Sequence, residues 1–560
     1  MAEMTQTGDS FTLAITGALP FVIMVAAIGT PLIALLLLRV YRRAVLKAMS
    51  RRSGTTRGGE TLAPVNTLQA NDSHRPLALN VSDAEALSGL SVPRASWRVV
   101  GIYAAAGAVF ALIMTLATLI SGDIELNLMR LLLVFLVYVW PLFLAVYLDG
   151  AATPRTLFFS VCAYVLLMLV LSMVALARSP DLTAAQLIIL WTYMNVPAVM
   201  LTLAFAARPV RAIGPLVVLF LIVVVTGPVS VLALVGSSDT IMRAVTSVGV
   251  SLGFGASATF VAIILVGLLA FSLLGWRVLA WIRRAYVSKR INDKSITVDA
   301  VFLLFGVIQS IGLAFEAPLW ILSGLVAFLA YKLTLQLGFK LWSTGHGREP
   351  RNLRLLLLRV FALGKRSQRL FDAVTRRWRY IGSIQLIAGP DLATTTIDPE
   401  ELLEFVSGRL GNLFISDEKT LAPRLVALDT RPDFDGRYRV NEFFCHDDSW
   451  GMVLPRLVEE SHVVLMDLRG FNPQNAGCIY ELTELVNVMP LSGVVLVIDD
   501  TTDRAFLEQT LKNAWSRLRP DSPNLAMDRA EIQLIRFGRL GPRQLNGLIG
   551  SLQAAACVRV

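Results

Sequence analysis

Residues 318–361 read PLWILSGLVAFLAYKLTLQLGFKLWSTGHGREPRNLRLLLLRVF, and the composition changes character inside them, near Ser343. Up to that point the stretch is apolar enough to be the last of a series of membrane spans. After it come Arg348, Arg351 and Arg354, and then the run LRLLLLRVF over Leu353–Phe361, which has the continuous hydrophobicity of a strand buried on both faces. A membrane domain over 1–343 therefore precedes a soluble domain over 350–560, joined by a basic juxtamembrane segment over 344–379.

Composition supports the first half of this division. Hydrophobic residues make up 55% of the chain and charged residues 16%, and mean hydropathy is +0.62; soluble domains carry about 25% charged residues. Apolar runs at about 11–38, 99–121, 131–149, 157–177, 187–207, 215–235, 256–276, 298–315 and 318–339 predict nine helical spans, the last pair being short. The first run has no Lys or Arg before it and Arg39, Arg42, Arg43 and Lys47 after it, the reverse of a cleavable signal peptide. With the N-terminus outside, nine spans place ten Lys/Arg of the first loop, the Arg277–Lys294 cluster and the whole tail on the cytoplasmic side of an inner (plasma) membrane. The outer loops keep Arg130, Arg178 and Arg243. The formal charge of +10 is thus a topology signal, and no nucleic-acid partner is expected. The first cytoplasmic loop, about 41–97, is rich in small and polar residues from Ser53 onward and reads as a flexible linker.

Few ionisable groups are evident within the spans: Glu316 between the last two, Lys332 placed to snorkel, and Asp149 at an end. Asn195 with Pro197, Gln309, and Pro228 after Gly227 are the positions where a transport cavity would be sought. The four cysteines show neither a CxxC pair nor disulfide spacing, and Cys445–Asp448 cannot converge on one ion because neighbours in an extended segment point to opposite faces. No metal site is expected.

Beyond the break, charge divides the tail. From Arg348 to Arg379 ten Lys/Arg stand against Glu349 and Asp372, which suits docking on anionic lipid headgroups; from Tyr380 onward 17 Lys/Arg face 25 Asp/Glu. Apolar periodicity predicts strands at Leu353–Phe361, Ile384–Ala388, up to Asp467, up to Asp499 and at Ile532–Phe537, with helices at Lys365–Trp378, Trp450–Glu460, Ala476–Val488, Arg504–Leu518 and from Pro542. Such alternation implies a doubly wound α/β domain with a mostly parallel sheet. Ligands of these sheets bind outside the carboxyl ends of the strands. The candidate ligand-binding residues there are Arg359, Asp391, Asp467, Arg469, Gly470, Asp499 and Asp500. Neither a dinucleotide glycine fingerprint nor a P-loop is present.

The run from Trp450 through Leu457, followed by SHVVLMD, RGFNPQN and GCIYEL (Gly477–Leu482), resembles the middle of TIR domains, where a strand and polar loop lead into a Trp-Cys-x-x-Glu-Leu helix. The Asp447, Asp448, Ser449, Trp450 segment is similar to one in the TIR-like tails of bacterial membrane proteins. Gly477 replaces the usual Trp, a typical TIR first strand is missing, and 398–436 is an insertion. The resemblance implies a TIR-like, flavodoxin-like domain in signalling, stress or defence, NAD as a substrate, Glu481 as the catalytic carboxylate, and a homo-oligomer. A carboxylate there would stabilise the oxocarbenium charge that develops as an N-glycosidic bond breaks. A non-catalytic receptor or scaffold, and a transporter with a regulatory tail, are the competing readings.

Overall fold

The computed structural model describes residues 28–51, 76–83, 95–344 and 352–558, apart from 124–126, 149–153, 179–182, 186–187, 189–199, 202, 206–207, 237, 315, 360–364, 390–396, 398, 528–529 and 539–540. By internal contacts the chain forms two compact units, one built of 1–39, 96–346 and 396–402, the other of 40–95, 347–395 and 403–560.

In the first unit, five helices among the described residues are long and apolar enough to cross a membrane: Arg98–Ser121, Ile213–Gly236, Ala256–Val287, Asp293–Ala314 and Leu319–Leu341. The 157–177 run lies within a further helix, Pro154–Arg178. The 131–149 run is instead two pieces, Leu128–Val139 and Leu142–Leu148, separated at Trp140 and Pro141. Asn195, Pro197 and Asp149, with most of the 187–207 run, lie outside the described residues. The last pair is longer than its sequence suggests, because the first of the two helices begins at Asp293 and the second ends at Thr344, after a 3₁₀ turn over Pro318–Leu322.

Small residues let these helices approach closely. A Cβ on Gly324 would lie 2.2 Å from the Gly306 carbonyl oxygen, and the Gly324 N–H donates to Ser310 Oγ at 2.6 Å. A Cβ on Gly227 would lie 2.5 Å from the Gly267 oxygen. Gly227 and Pro228 therefore make a tight helix crossing, the usual role of small residues where the hydrophobic effect gives helices no reason to associate. Sequence reading also overlooked Asp299. Lys332, expected to snorkel, instead donates to Asp299 Oδ2 at 2.6 Å, tying the last two long helices together.

The second unit carries an eight-stranded sheet, parallel at every pairing, in the order β1-β8-β7-β6-β2-β3-β5-β4. The strands are β1 Leu77–Asp83, β2 Leu355–Arg359, β3 Ile384–Ala388, β4 Phe414–Ile415, β5 Val440–Cys445, β6 Val463–Asp467, β7 Val494–Ile498 and β8 Ala530–Arg536. The strands β8, β7, β6, β2 and β3 lie side by side with β2 inside the sheet, while β5 and β4 extend it at one edge and β1 at the other. Alternate strand residues feed two cores. Leu355, Leu357, Val463, Leu465, Val495 and Val497 pack under the Lys365–Trp378 and Pro542–Cys557 helices. Leu356, Leu358, Val464, Met466, Leu496 and Ile498 pack under Trp450–Glu460, Ala476–Val488 and Arg504–Ser516.

One expectation is corrected by the sheet. The first loop is not a linker throughout, because residues 77–83 pair in parallel with 530–536 along their whole length. The segment read as an insertion carries structure of its own in this unit: it supplies β4 and the Glu418–Val426 helix, and leads into β5 through a loop held by Asp433–Arg439 and Asp435–Arg437 pairs whose carboxylate side chains are fully buried. In the basic juxtamembrane segment, Leu370, Phe371, Val374 and Trp378 are core residues and Arg366 pairs with Asp499, so part of that stretch belongs to the sheet's packing.

The parallel edge that β1 covers has a measurable consequence. A soluble fragment beginning near residue 348 leaves the β8 backbone unpaired along an apolar strand, an open template for association. We expect it to self-associate in size-exclusion chromatography, and the same fragment carrying residues 76–84 in fusion to elute as a smaller species; equal elution of the two would refute the edge role.

Candidate functional site

A cavity of about 280 Å³ opens at the carboxyl ends of β3 and β5. Ile387, Ala388 and Gly389 come from the end of β3, and Cys445, His446 and Asp447 from the end of β5. Trp450, at the start of its helix, Glu481 and Met49 complete the lining. Parallel pairing throughout brings the carboxyl ends of all the strands to one edge of the sheet, so residues far apart in sequence meet there without any local motif.

Each wall is fixed by its own packing. After β5 the chain turns sharply: the His446 N–H donates to Ser449 Oγ at 2.9 Å, and that hydroxyl donates to the Ile415 oxygen of β4 at 2.6 Å. This presents Trp450 at the first position of the next helix. Its indole meets Tyr480 edge to face at 5.3 Å, and the Tyr480 hydroxyl donates to the Gly451 oxygen at 3.3 Å. The neighbour of Tyr480 in the chain is Glu481, only 3% exposed. Leu482 and Leu485, which follow it, anchor the helix in the core and fix its rotation. The His446 ring stacks on Phe414 at 5.0 Å and hydrogen-bonds through Nδ1 with the Ala48 carbonyl at 2.8 Å. A carbonyl can only accept, so Nδ1 carries the proton.

Chemically, the cavity offers the Glu481 carboxylate, the exposed Asp447 carboxylate, an imidazole and an indole. Such a set suits a flat, polar ligand bearing positive charge, which an aromatic face and carboxylates both attract. Cys445 is no nucleophile here, since burial pushes its thiol up to about 12 against a weaker opposing hydrogen bond from Ser449. Among the described residues no group of three or more His, Cys, Asp or Glu is arranged to hold a metal ion.

The residues expected to share one crevice fall into three places. Glu481 lines the cavity. Asp467 and Arg469, at the end of β6, are closed on each other: Arg469 Nε and Nη2 donate to the two Asp467 oxygens, each at 2.7 Å, and Ser367 Oγ donates to Oδ2 at 2.7 Å. Both side chains are within 4% of complete burial. Asp499 is held in the same manner by Arg366 and by Thr501, whose N–H and hydroxyl donate at 2.9 and 2.6 Å. Asp500 is exposed and paired with Arg536 at 2.5 Å. Gly470 has φ +72°, a left-handed turn conformation that explains glycine there without any ligand. The backbone of Arg359 ends β2 level with Asp467; its side chain and the whole of Asp391 lie outside the described residues. Glu484, one turn beyond Glu481, is bound to Arg519 at 2.5 Å.

Of the nine lining residues, all but Glu481 escaped the sequence reading as site residues. His446 was weighed only as a metal-capable type. Ala388 and its neighbours look like ordinary strand residues, and no sequence signal connects Met49 to a domain beginning three hundred residues later. Comparison of the chain with protein-family models, curated proteins and solved structures found no match.

Proposed function

We propose that this chain is a multi-pass inner-membrane protein whose cytoplasmic, TIR-like sheet domain binds or processes a nucleotide-like ligand in signalling, stress or defence; as an NAD glycohydrolase it would use Glu481 as the catalytic carboxylate. One observation carries the reading: Glu481, chosen from the Cys-x-x-Glu-Leu pattern alone, lines a cavity at the carboxyl edge of a parallel sheet beside Trp450 and His446. Cleavage of the bond between ribose and a cationic base needs a carboxylate beside the anomeric carbon, a surface for the base and little water. Homo-oligomerisation and contact of the remaining basic juxtamembrane side chains with anionic lipid belong to the same proposal. The deciding experiment incubates purified protein, free and forced to oligomerise, with NAD and follows nicotinamide release. If neither turnover nor binding is found, the sheet domain is a non-catalytic receptor or scaffold.

Nine spans with an external N-terminus remain part of this proposal, supported by the charge asymmetry of the loops. A reporter fused after Val560 should be active only in its cytoplasmic form, and one fused before Phe11 only in its external form. Both ends on one side would require an even number of spans. A solute-uptake measurement on the protein addresses the transporter reading.

A further inference from the structure

The cavity has one wall from outside the tail. The helix over 28–49 runs past the end of the first apolar run and buries a single stripe, Thr30, Ala34, Leu38, Tyr41, Val45 and Met49, at helical spacing. Its basic residues Arg39, Arg43 and Lys47 stay on the exposed side. Residues from Val40 onward belong to the same compact unit as the sheet. There Tyr41 meets Phe405 edge to face at 5.3 Å, and the Met49 side chain, 4% exposed, lines the cavity.

A helix end leaves its last carbonyls without intrahelical donors. Here the loop that forms the opposite wall reaches two of them: His446 Nδ1–H donates to the Ala48 oxygen at 2.8 Å, beside the Arg51 N–H at 3.2 Å, and the Asp447 N–H donates to the Met49 oxygen at 3.1 Å. His446 and Asp447 themselves line the cavity. The same two residues thus face the ligand space and hold the helix end.

We propose that the last turn of the helix over 28–49 is a reversibly docked wall of the binding cavity, so that occupancy of the cavity and docking of this helix are thermodynamically linked. The proposal rests on reading the cavity as a ligand site. A ligand that touches Met49, His446 and Asp447 binds the docked arrangement more tightly, and by linkage it must favour docking by the same factor. The helix end that follows the first apolar run would in this way report what the sheet domain has bound, and a displacement of that helix would empty the cavity.

The test uses the full-length protein in nanodiscs with the exposed Cys162 and Cys557 replaced by serine and a Met49→Cys substitution as reporter, followed by its rate of maleimide labelling. Without ligand, labelling should be slow. Adding His446→Ala should raise it by about fivefold, the worth of one hydrogen bond, and His446→Gln, which keeps a donor for the Ala48 carbonyl, should restore most of the protection. Saturating NAD, its binding checked separately by calorimetry, should slow labelling a further five- to tenfold, roughly the lower range of ordinary coupling. NAD that binds yet leaves the labelling rate unchanged overturns the linkage while leaving the site reading intact. Absence of NAD binding defeats the site reading, and the ligand-free comparison then decides the wall: equal labelling with His446 and with His446→Ala overturns it.

Discussion

Glu481→Gln should abolish NAD turnover, lowering nicotinamide release by at least about a hundredfold, the usual cost of removing a principal transition-state charge. The substitution keeps the length and shape of the side chain and removes only its charge. Because Glu481 is 3% exposed on a helix whose apolar neighbours fix its position, the neutral variant fits the same space and should melt within a few degrees of the wild type. Glu484→Gln is the control. Its carboxylate is bound to Arg519 and does not line the cavity, so its loss should cost some stability and leave turnover near normal. Equal loss of turnover in both variants would mean that helix integrity, and not the Glu481 charge, is being measured.

The outcome of this pair also bears on what the sequence could reveal. Long, strongly periodic elements were readable because burial on two faces forces continuous Val/Ile/Leu runs, and helices such as Trp450–Glu460 and Ala476–Val488 have the bounds that their apolar spacing predicts. Strands β1, β4 and β5 were missed for different physical reasons. β4 has two residues, too few for any period. β5 reads VNEFFC, with Asn441 and Glu442 inside it, because an inner edge strand is covered less completely than β6 or β7. β1 lies in a polar loop and earns its conformation only by pairing with β8. Non-local pairing leaves no local signature.

The site shows the same division. Glu481 came from a short pattern within one helix, and it lines the cavity. Its companions there come from three separate segments, 49, 387–389 and 445–450, which only the topology brings together. Strand-end position points to polar residues at the sheet edge, but it does not distinguish a cavity-lining carboxylate from one already saturated. Asp467 and Arg469 differ from Glu481 in that respect.

Arg469→Ala should therefore act on stability before it acts on ligand. Its guanidinium supplies two donors to a carboxylate with no exposure to water, and truncation would leave Asp467 with Ser367 as its remaining side-chain donor in this cluster. Breaking a buried pair from one side costs about 3–5 kcal/mol, because the stranded charge keeps its desolvation penalty. For a sheet domain of this size, with each 1 kcal/mol worth about 2–4 °C, that predicts a melting temperature lower by roughly ten degrees, with turnover per folded molecule falling much less. Combining it with Asp467→Asn should recover part of the loss, since an amide needs no counter-charge and can still accept from Ser367. Unfolding of the purified protein, followed by far-ultraviolet circular dichroism alongside NAD turnover, separates the two roles. An Arg469→Ala protein that melts like the wild type and binds NAD more weakly would return this pair to the ligand site and make its present closure a state that the ligand opens.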